Sequence, residues 1–356
     1  MIAVQRFRDL DALPAAARTL LRDDGPAGIF GGETWFRTVL AHAMPSGGTP
    51  LFLLASQSGQ PLGILPLRMA AGAVESLTTP YSCAFSPAIA GTPDDNTVRV
   101  AVCTALARAC RAWPVVRLDA LDPNDPNVGA LIRGAREAGL VVRRFDHFGN
   151  WHAPVERLDW PAYLADRPGP LRNTVRRKLA AAGRDGAVLG VHRDGPDLDG
   201  AIAAYEDVYA RSWKQAEPFP AFNAALARAL APRGQMRLGL FRLNGQAVAA
   251  QIWLLANGIA TVVKLAHDEA ANAASPGTVL TAHMIRHMLE TEHAREIDFG
   301  RGDDPYKQGW VRARRQKIGL LLIDPRHPRG VAAWARQVAG ETARRIYRRR
   351  QADKDG

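Results

Sequence analysis

The chain has 356 residues, more than one ordinary domain, and an apolar fraction of 47%, enough for full hydrophobic cores. Lys and Arg number 46 against 35 Asp and Glu, so the formal net charge is +11 and an anionic partner is expected: CoA, tRNA, a nucleotide-linked sugar or an acidic membrane face. Cys83, Cys103 and Cys110 are too few and too scattered for a disulfide framework or a metal-ligand spacing, Met1 to Leu13 lacks an apolar secretory core, and no apolar run reaches spanning length, so a cytoplasmic protein without a metal is expected.

Residues 1–150 read as a first α/β unit. Glu33 to His42 is helical, with Trp35, Phe36, Val39 and Leu40 on its apolar face. Leu51 to Ala55 and Leu62 to Met69 are strands around Ser58-Gly59-Gln60. Asn96 to Arg111 is an amphipathic helix, Val115 to Leu118 a buried-type strand, Val128 to Ala138 a helix and Leu140 to Phe145 a strand. That order loosely repeats in the second half.

A junction falls at Gly149 to Leu158. Trp160 to Ala182 is helical, and its later part carries Arg172, Arg176, Arg177 and Lys178. Val188 to Val191 follows as a strand, and then a helix over Leu198 to Lys214. Arg237 to Leu243, Ala247 to Ala256 and Ile259 to Ala266 are three apolar runs separated by Asn244-Gly245 and Asn257-Gly258. Asn-Gly suits tight hairpins because both turn positions need positive φ, so a three-strand antiparallel meander is expected. The chain then passes through Ser275-Pro276-Gly277-Thr278 into a helix and reaches a strand ending Asp298-Phe299-Gly300-Arg301-Gly302-Asp303. A crossover through one helix makes that strand parallel to its neighbour. A short helix over Pro305 to Trp310 comes next. The tail, 326–356, has an apolar stripe and many arginines, which suits an amphipathic helix on an anionic membrane surface.

A meander feeding one parallel crossover is the central layout of the GNAT acyltransferase fold. Residues from about Trp160 to Asp324 resemble the BioF2-like (CelD/FemAB-type) branch of that superfamily. The resemblance rests on Trp160, Tyr163-Leu164, Arg172, Arg176-Arg177-Lys178, Lys264 to Asp268, Ser275 to Thr278, and Asp298 to Asp303 with Tyr306-Lys307 and Trp310. It implies a mixed α/β protein of tandem GNAT-like units: a degenerate one over 1–150 and an acyltransferase domain over 151–325. It also implies acyl transfer to an amine or hydroxyl from an acyl thioester or aminoacyl-tRNA.

The residues themselves suggest how. A helix N-terminus offers unpaired N–H groups to a phosphate. Ser275 can cap that helix, Pro276 suits its first position, and Gly277 lets the backbone come near a ligand, so these, Thr278 and Lys264 are candidate contacts for the acyl-CoA donor. The segment Asn272 to Thr278 holds one glycine and no leading basic residue, which keeps aminoacyl-tRNA open as the donor. Asp303 and His267 are candidate general bases. Tyr306 is a candidate donor to the leaving thiolate. Trp213, Arg301 and Lys307 are candidate acceptor contacts. Lys264 can also be a structural ion-pair partner, of Asp298 for example. No Gly-x-Ser-x-Gly elbow or Cys–His pair points to an acyl-enzyme. The basic runs have few interleaved aromatics, which argues against stacked single-strand binding, and DNA is not an expected partner. The expected acceptor is a sugar, nucleotide-sugar or envelope precursor. A FemAB-like transferase using tRNA and a non-catalytic module of a polysaccharide-synthesis complex are the alternatives.

Overall fold

The computed structural model describes residues 1–91, 96–184 and 186–332. The first half contains β1 (Ala3–Phe7), α1 (Ala15–Arg18), α2 (Glu33–His42), β2 (Thr49–Gln57), β3 (Gln60–Ala70), β4 (Ala73–Ser76), β5 (Ala88–Ile89), α3 (Asn96–Cys110), β6 (Val115–Leu121), α4 (Pro126–Glu137) and β7 (Val141–Pro154). The second contains α5 (Trp160–Ala165), α6 (Gly169–Arg184), β8 (Val188–His192), α7 (Leu198–Ala210), α8 (Phe222–Leu230), β9 (Met236–Leu243), β10 (Gln246–Ala256), β11 (Ile259–His267), α9 (Pro276–Glu290), β12 (Glu296–Arg301), α10 (Lys307–Trp310) and β13 (Ala313–Ile323).

Among the described residues all strands belong to one mixed sheet, in the order β1-β2-β3-β4-β6-β13-β7-β12-β11-β10-β9-β8, with β5 paired to β3. The β4–β6 and β11–β12 pairs are parallel, and the other pairs are antiparallel. The meander β9-β10-β11 turns at Asn244-Gly245 and Asn257-Gly258, all four with positive φ, as the dipeptides demand. Crossing through α9 then lays β12 parallel to β11, as expected.

Three differences from the sequence reading bear on the site. β13 comes from the second half of the chain but lies between β6 and β7 of the first. The helix expected over 198–214 ends at Ala210, which frees 211–221 as a loop. Helix α8 and strands β1 and β13 have no counterpart among the expected elements. The tail over 326–356, for which an anionic membrane surface was an expected partner, lies largely outside the described residues. No helix among the described residues is long and apolar enough to cross a membrane.

Strand alternation divides the core into two layers. On one face Phe52, Leu54, Ala250, Ile252 and Leu254 pack under α2, α7 and α8 in a cluster shared by both halves. On the other, Leu51, Leu53 and Leu65 pack under α3 and α4. Farther along that second face Ala249, Trp253 and Ile297 pack under α5 and α9. The buried Trp253 indole donates to Gln251 Oε1 at 2.8 Å, and Gln251 Nε2 donates to Thr281 Oγ1 at 2.7 Å. This chain satisfies the polar atoms that pin α9 to β10.

Candidate functional site

The site is set by how β11 and β12 meet. They pair only through Ile259, Ala260 and Thr261 against Glu296, Ile297 and Asp298. Beyond Thr261 no ladder joins them. Gly300 marks the divergence: its φ is +61°, and a Cβ there would lie 2.5 Å from the Val262 carbonyl oxygen. Only glycine fits so close an approach in that conformation. The β12–β7 register is irregular between Asp298 and Arg301, on either side of this bend. The two parallel strands thus part toward their C-terminal ends, where an open sheet holds its ligands.

Helix α9 begins at the end of β11. Ser275 occupies its N-cap position but has φ +54° and makes no side-chain cap hydrogen bond, contrary to the capping role expected of it. A left-handed residue turns its hydroxyl away from the N–H groups it would cap. Pro276 has no N–H to satisfy. The N–H groups of Gly277 and Thr278 therefore lack a protein acceptor among the described residues. Lys178 of α6 donates to the Ala273 carbonyl just ahead of this turn. Arg176 and Arg177 on the same helix are exposed.

His267 closes the end of β11 against the helix start. Its Nδ1 lies 3.1 Å from where a Gly277 Cβ would sit, and its Nε2 is 3.0 Å from Asn272 Oδ1. Burial pushes the imidazole below its ordinary value, against a smaller opposing pull from Asn272, so the ring is neutral. The Trp213 ring, 48% exposed, covers it at 4.3 Å between centroids.

Deeper along β11, Lys264 Nζ pairs with Glu217 Oε1 at 2.5 Å. It also lies 4.4 Å from the Tyr81 ring centroid. Tyr81 donates its hydroxyl to Glu217 Oε2 at 2.7 Å and stacks on Phe222 at 4.6 Å. Burial would raise the Glu217 carboxyl, but hydrogen bonds from Lys264 and Tyr81 hold it below the usual carboxylate range. Lys214 joins the group electrostatically: burial, then the Lys264 ammonium, lowers its amine, and Glu217, Asp304 and Lys307 are its other charged neighbours.

On the β12 side, Lys307 is buried and fully engaged. It donates to the Arg301 and Gly302 carbonyls at 2.7 and 3.1 Å and pairs with Asp304 at 3.1 Å. Tyr306 is 44% exposed beside Phe299. Arg301 is exposed, with its guanidinium 4.7 Å from the Phe148 centroid.

Asp303 stands apart from the Lys264 group. Both its oxygens accept from Arg314 at 2.7 Å, and Trp151 Nε1 donates to it at 3.0 Å. Hydrogen bonds from Arg314 hold its carboxyl below the ordinary value. An occupied, weakly basic carboxylate is poorly suited to the general-base role expected of it. Asp298 is structural, accepting from Asn150 Nδ2 and the Gly300 N–H at 2.6 Å each and from Arg315, so it is not the partner of Lys264.

The structure thus brings His267, Gly277, Thr278, Lys264 and Trp213 to the β11 side of the opening and Tyr306, Lys307 and Arg301 to the β12 side. The sequence reading missed Glu217, Lys214 and Tyr81. Both Glu217 and Lys214 lie in the loop 211–221: Lys214 was read as the end of the helix, and Glu217 fell just beyond it with no assignment. Tyr81 comes from the first half, where nothing in the local sequence marks it. Cys83, two residues on, has its thiol pushed up to about 12 by burial and then by Asp298, so it stays protonated and is no nucleophile. No group of three or more His, Cys, Asp or Glu among the described residues is placed to hold a metal ion.

Comparison with known proteins bears on the fold. Residues 170–308 match the acetyltransferase (GNAT) domain family. No curated protein matches the chain in sequence. The fold is similar to that of FemX, with a TM-score of 0.62 at 10% identity, covering 90% of this chain and 98% of FemX. It is also similar to the C-terminal domain of a putative lysylphosphatidylglycerol synthetase from Agrobacterium fabrum (TM-score 0.51, 14% identity, 78% of this chain and 85% of that one). A tandem GNAT protein from the clavulanic acid biosynthesis pathway gives a TM-score of 0.50 at 14% identity, with 92% and 100% covered. The fold is therefore like that of tandem GNAT proteins, residues 170–308 match a GNAT acetyltransferase domain, and the protein is a transferase.

Proposed function

We propose that the protein moves an acyl group, acetyl in the simplest case, from acyl-CoA to an amine or hydroxyl of a sugar, nucleotide-sugar or envelope precursor. The observation that carries this reading is the parting of β11 from β12 beyond Thr261, with the uncapped start of α9 at its edge. A thioester arm fits such a slot, and its pyrophosphate would accept from the Gly277 and Thr278 N–H groups with the basic face of α6 behind them. In the same reading residues 1–150 form a degenerate GNAT-like unit, and residues 151–325 carry the transferase.

The reaction needs no covalent enzyme intermediate. The acceptor nitrogen or oxygen attacks the thioester carbon, and the carbonyl oxygen becomes an oxyanion. A backbone N–H on the free edge of β11 stabilises it, a contact worth about 3–4 kcal/mol. The Lys264 charge adds to the field there. His267, neutral at pH 7, accepts the proton the acceptor loses. The carbon–sulfur bond then breaks, and the thiolate leaves with a proton from the Tyr306 hydroxyl.

The test is release of free CoA thiol from acetyl-CoA in the presence of amino sugars, sugar phosphates and nucleotide-sugars. Acceptor-dependent release supports the reading. Release absent across acceptors of all three kinds overturns it. A second reading, an aminoacyl-tRNA donor, is favoured by one observation: Arg176 and Arg177 are exposed on the helix that flanks the α9 turn. Steeply salt-dependent tRNA binding would support that donor.

A further inference from the structure

We propose that Arg301 and His147 form a binding site for an oxyanion of the acceptor, a carboxylate or a phosphate, on the β12 side of the opening. The proposal rests on the transferase reading for the identity of the ligand as acceptor, but the anion site itself can be tested without any donor.

The argument begins with a proton count. His147 lies on β7, and its Nδ1 accepts from the Ala120 backbone N–H at 2.9 Å. Ala120 has φ +61°, an unusual conformation for a residue with a Cβ, and the bend aims its N–H at the ring. An Nδ1 lone pair used this way leaves the neutral imidazole proton on Nε2. That Nε2 faces Arg301 Nη2 at 3.2 Å. A guanidinium nitrogen has only protons to offer. Two donors therefore confront each other with no acceptor between them.

Among the described residues no neighbouring group resolves the conflict. The nearest carboxylate, Asp119, is 4.0 Å from Nε2, and both its oxygens accept from Arg117 Nε at 3.0 Å. Among the described residues no carboxylate pairs with Arg301. The Cys83 thiol nearby is protonated. Burial, with Arg301 and Arg117 adding to it, lowers the His147 imidazole despite Asp119. Partial desolvation likewise lowers the Arg301 guanidinium, although the residue as a whole is exposed. An oxyanion between the two would accept from both and supply the missing negative charge.

The position suits an acceptor. Arg301 ends β12, and its carbonyl accepts from Lys307. The donor's phosphates are assigned to α9 on the β11 side. The acceptor class that follows carries an acidic group near its nucleophile: an amino acid, a sugar acid, a sugar phosphate or a nucleotide-sugar. Neutral sugars are poor ligands.

The experiment is NMR of the His147 ring nitrogens and Cε1–H in the full-length protein without CoA, assigned with His147→Gln. Inorganic phosphate and acetate are titrated separately. The expected result is the Nε2-protonated tautomer at neutral pH and a saturable shift with at least one anion, which identifies the chemistry. That shift should weaken at least tenfold in Arg301→Gln and recover in part in Arg301→Lys. An Nδ1-protonated ring, no saturable shift with either anion, or an unchanged shift in Arg301→Gln would overturn the proposal. Failure of acetyl-CoA to bind would count against the donor reading and leave these results standing.

Discussion

Glu217 accepts a 2.5 Å hydrogen bond from Lys264 of β11, beyond the point where β11 stops pairing with β12. The pair joins the meander to the loop after α7, and Tyr81 extends it into the first half of the chain. A lysine in an apolar strand is tolerated because this carboxylate compensates it. Removing one partner should cost more than removing both. Lys264→Met should lower stability by about 2–3 kcal/mol, since both side chains are mostly buried. The double variant Lys264→Met with Glu217→Gln should recover part of that loss. Urea denaturation of the wild type, Lys264→Met, Glu217→Gln and the double variant measures the coupling, and strictly additive losses would contradict the pairing.

The same pair sets an acid limit. The folded Glu217 carboxyl lies below its ordinary value of about 4.3, chiefly because the Lys264 and Tyr81 bonds overcome burial. A depressed carboxyl contributes stability above its unfolded value and loses it as pH falls through the lower folded value. Wild-type stability should therefore fall on acidification below about pH 4.3, and Glu217→Gln should fall less steeply. Thermal unfolding across pH 3 to 7 reads this directly, and parallel curves would contradict it.

Gly277 should tolerate little. A Cβ there would sit 3.1 Å from His267 Nδ1, tight enough to displace the ring. Gly277→Ala should weaken donor binding by about tenfold, or about 1.4 kcal/mol, while changing stability by less than about 1 kcal/mol. Gly277→Pro adds the same crowding, restrains the preceding Pro276 and deletes one N–H donor, so it should weaken binding further. Unchanged Kd in both variants would remove the α9 turn from the site.

Asp303 should matter little to turnover. Its carboxylate is exposed and held by Arg314 and Trp151. Asp303→Asn should leave kcat within about threefold and stability within about 1 kcal/mol, the range for exposed pairs. A loss of a hundredfold or more, the lower end for a general base, would return it to the mechanism.

Much of the second half was legible because its signals are local. Asn244-Gly245 and Asn257-Gly258 dictate their turns, and the helix after Pro276 follows from its chemistry. The site was only partly legible because its groups meet across long sequence distances. Tyr81 and Glu217 are 136 residues apart, and Trp151 and Asp303 are 152 apart. Asp303 read as a candidate base because its neighbourhood in sequence is polar. Its partner Arg314, on β13, lies beyond that neighbourhood. β13 itself escaped notice because its start, Ala313 to Lys317, is charged and its pairing strands lie in the first half.

The most direct test of the central claim is a calorimetric titration of the wild-type protein and Gly277→Pro with acetyl-CoA, with bulk tRNA as a second ligand. The account predicts one saturable acetyl-CoA site per chain, weakened at least tenfold in Gly277→Pro. Absence of acetyl-CoA binding alongside tight, salt-sensitive tRNA binding would contradict it and move the donor to aminoacyl-tRNA.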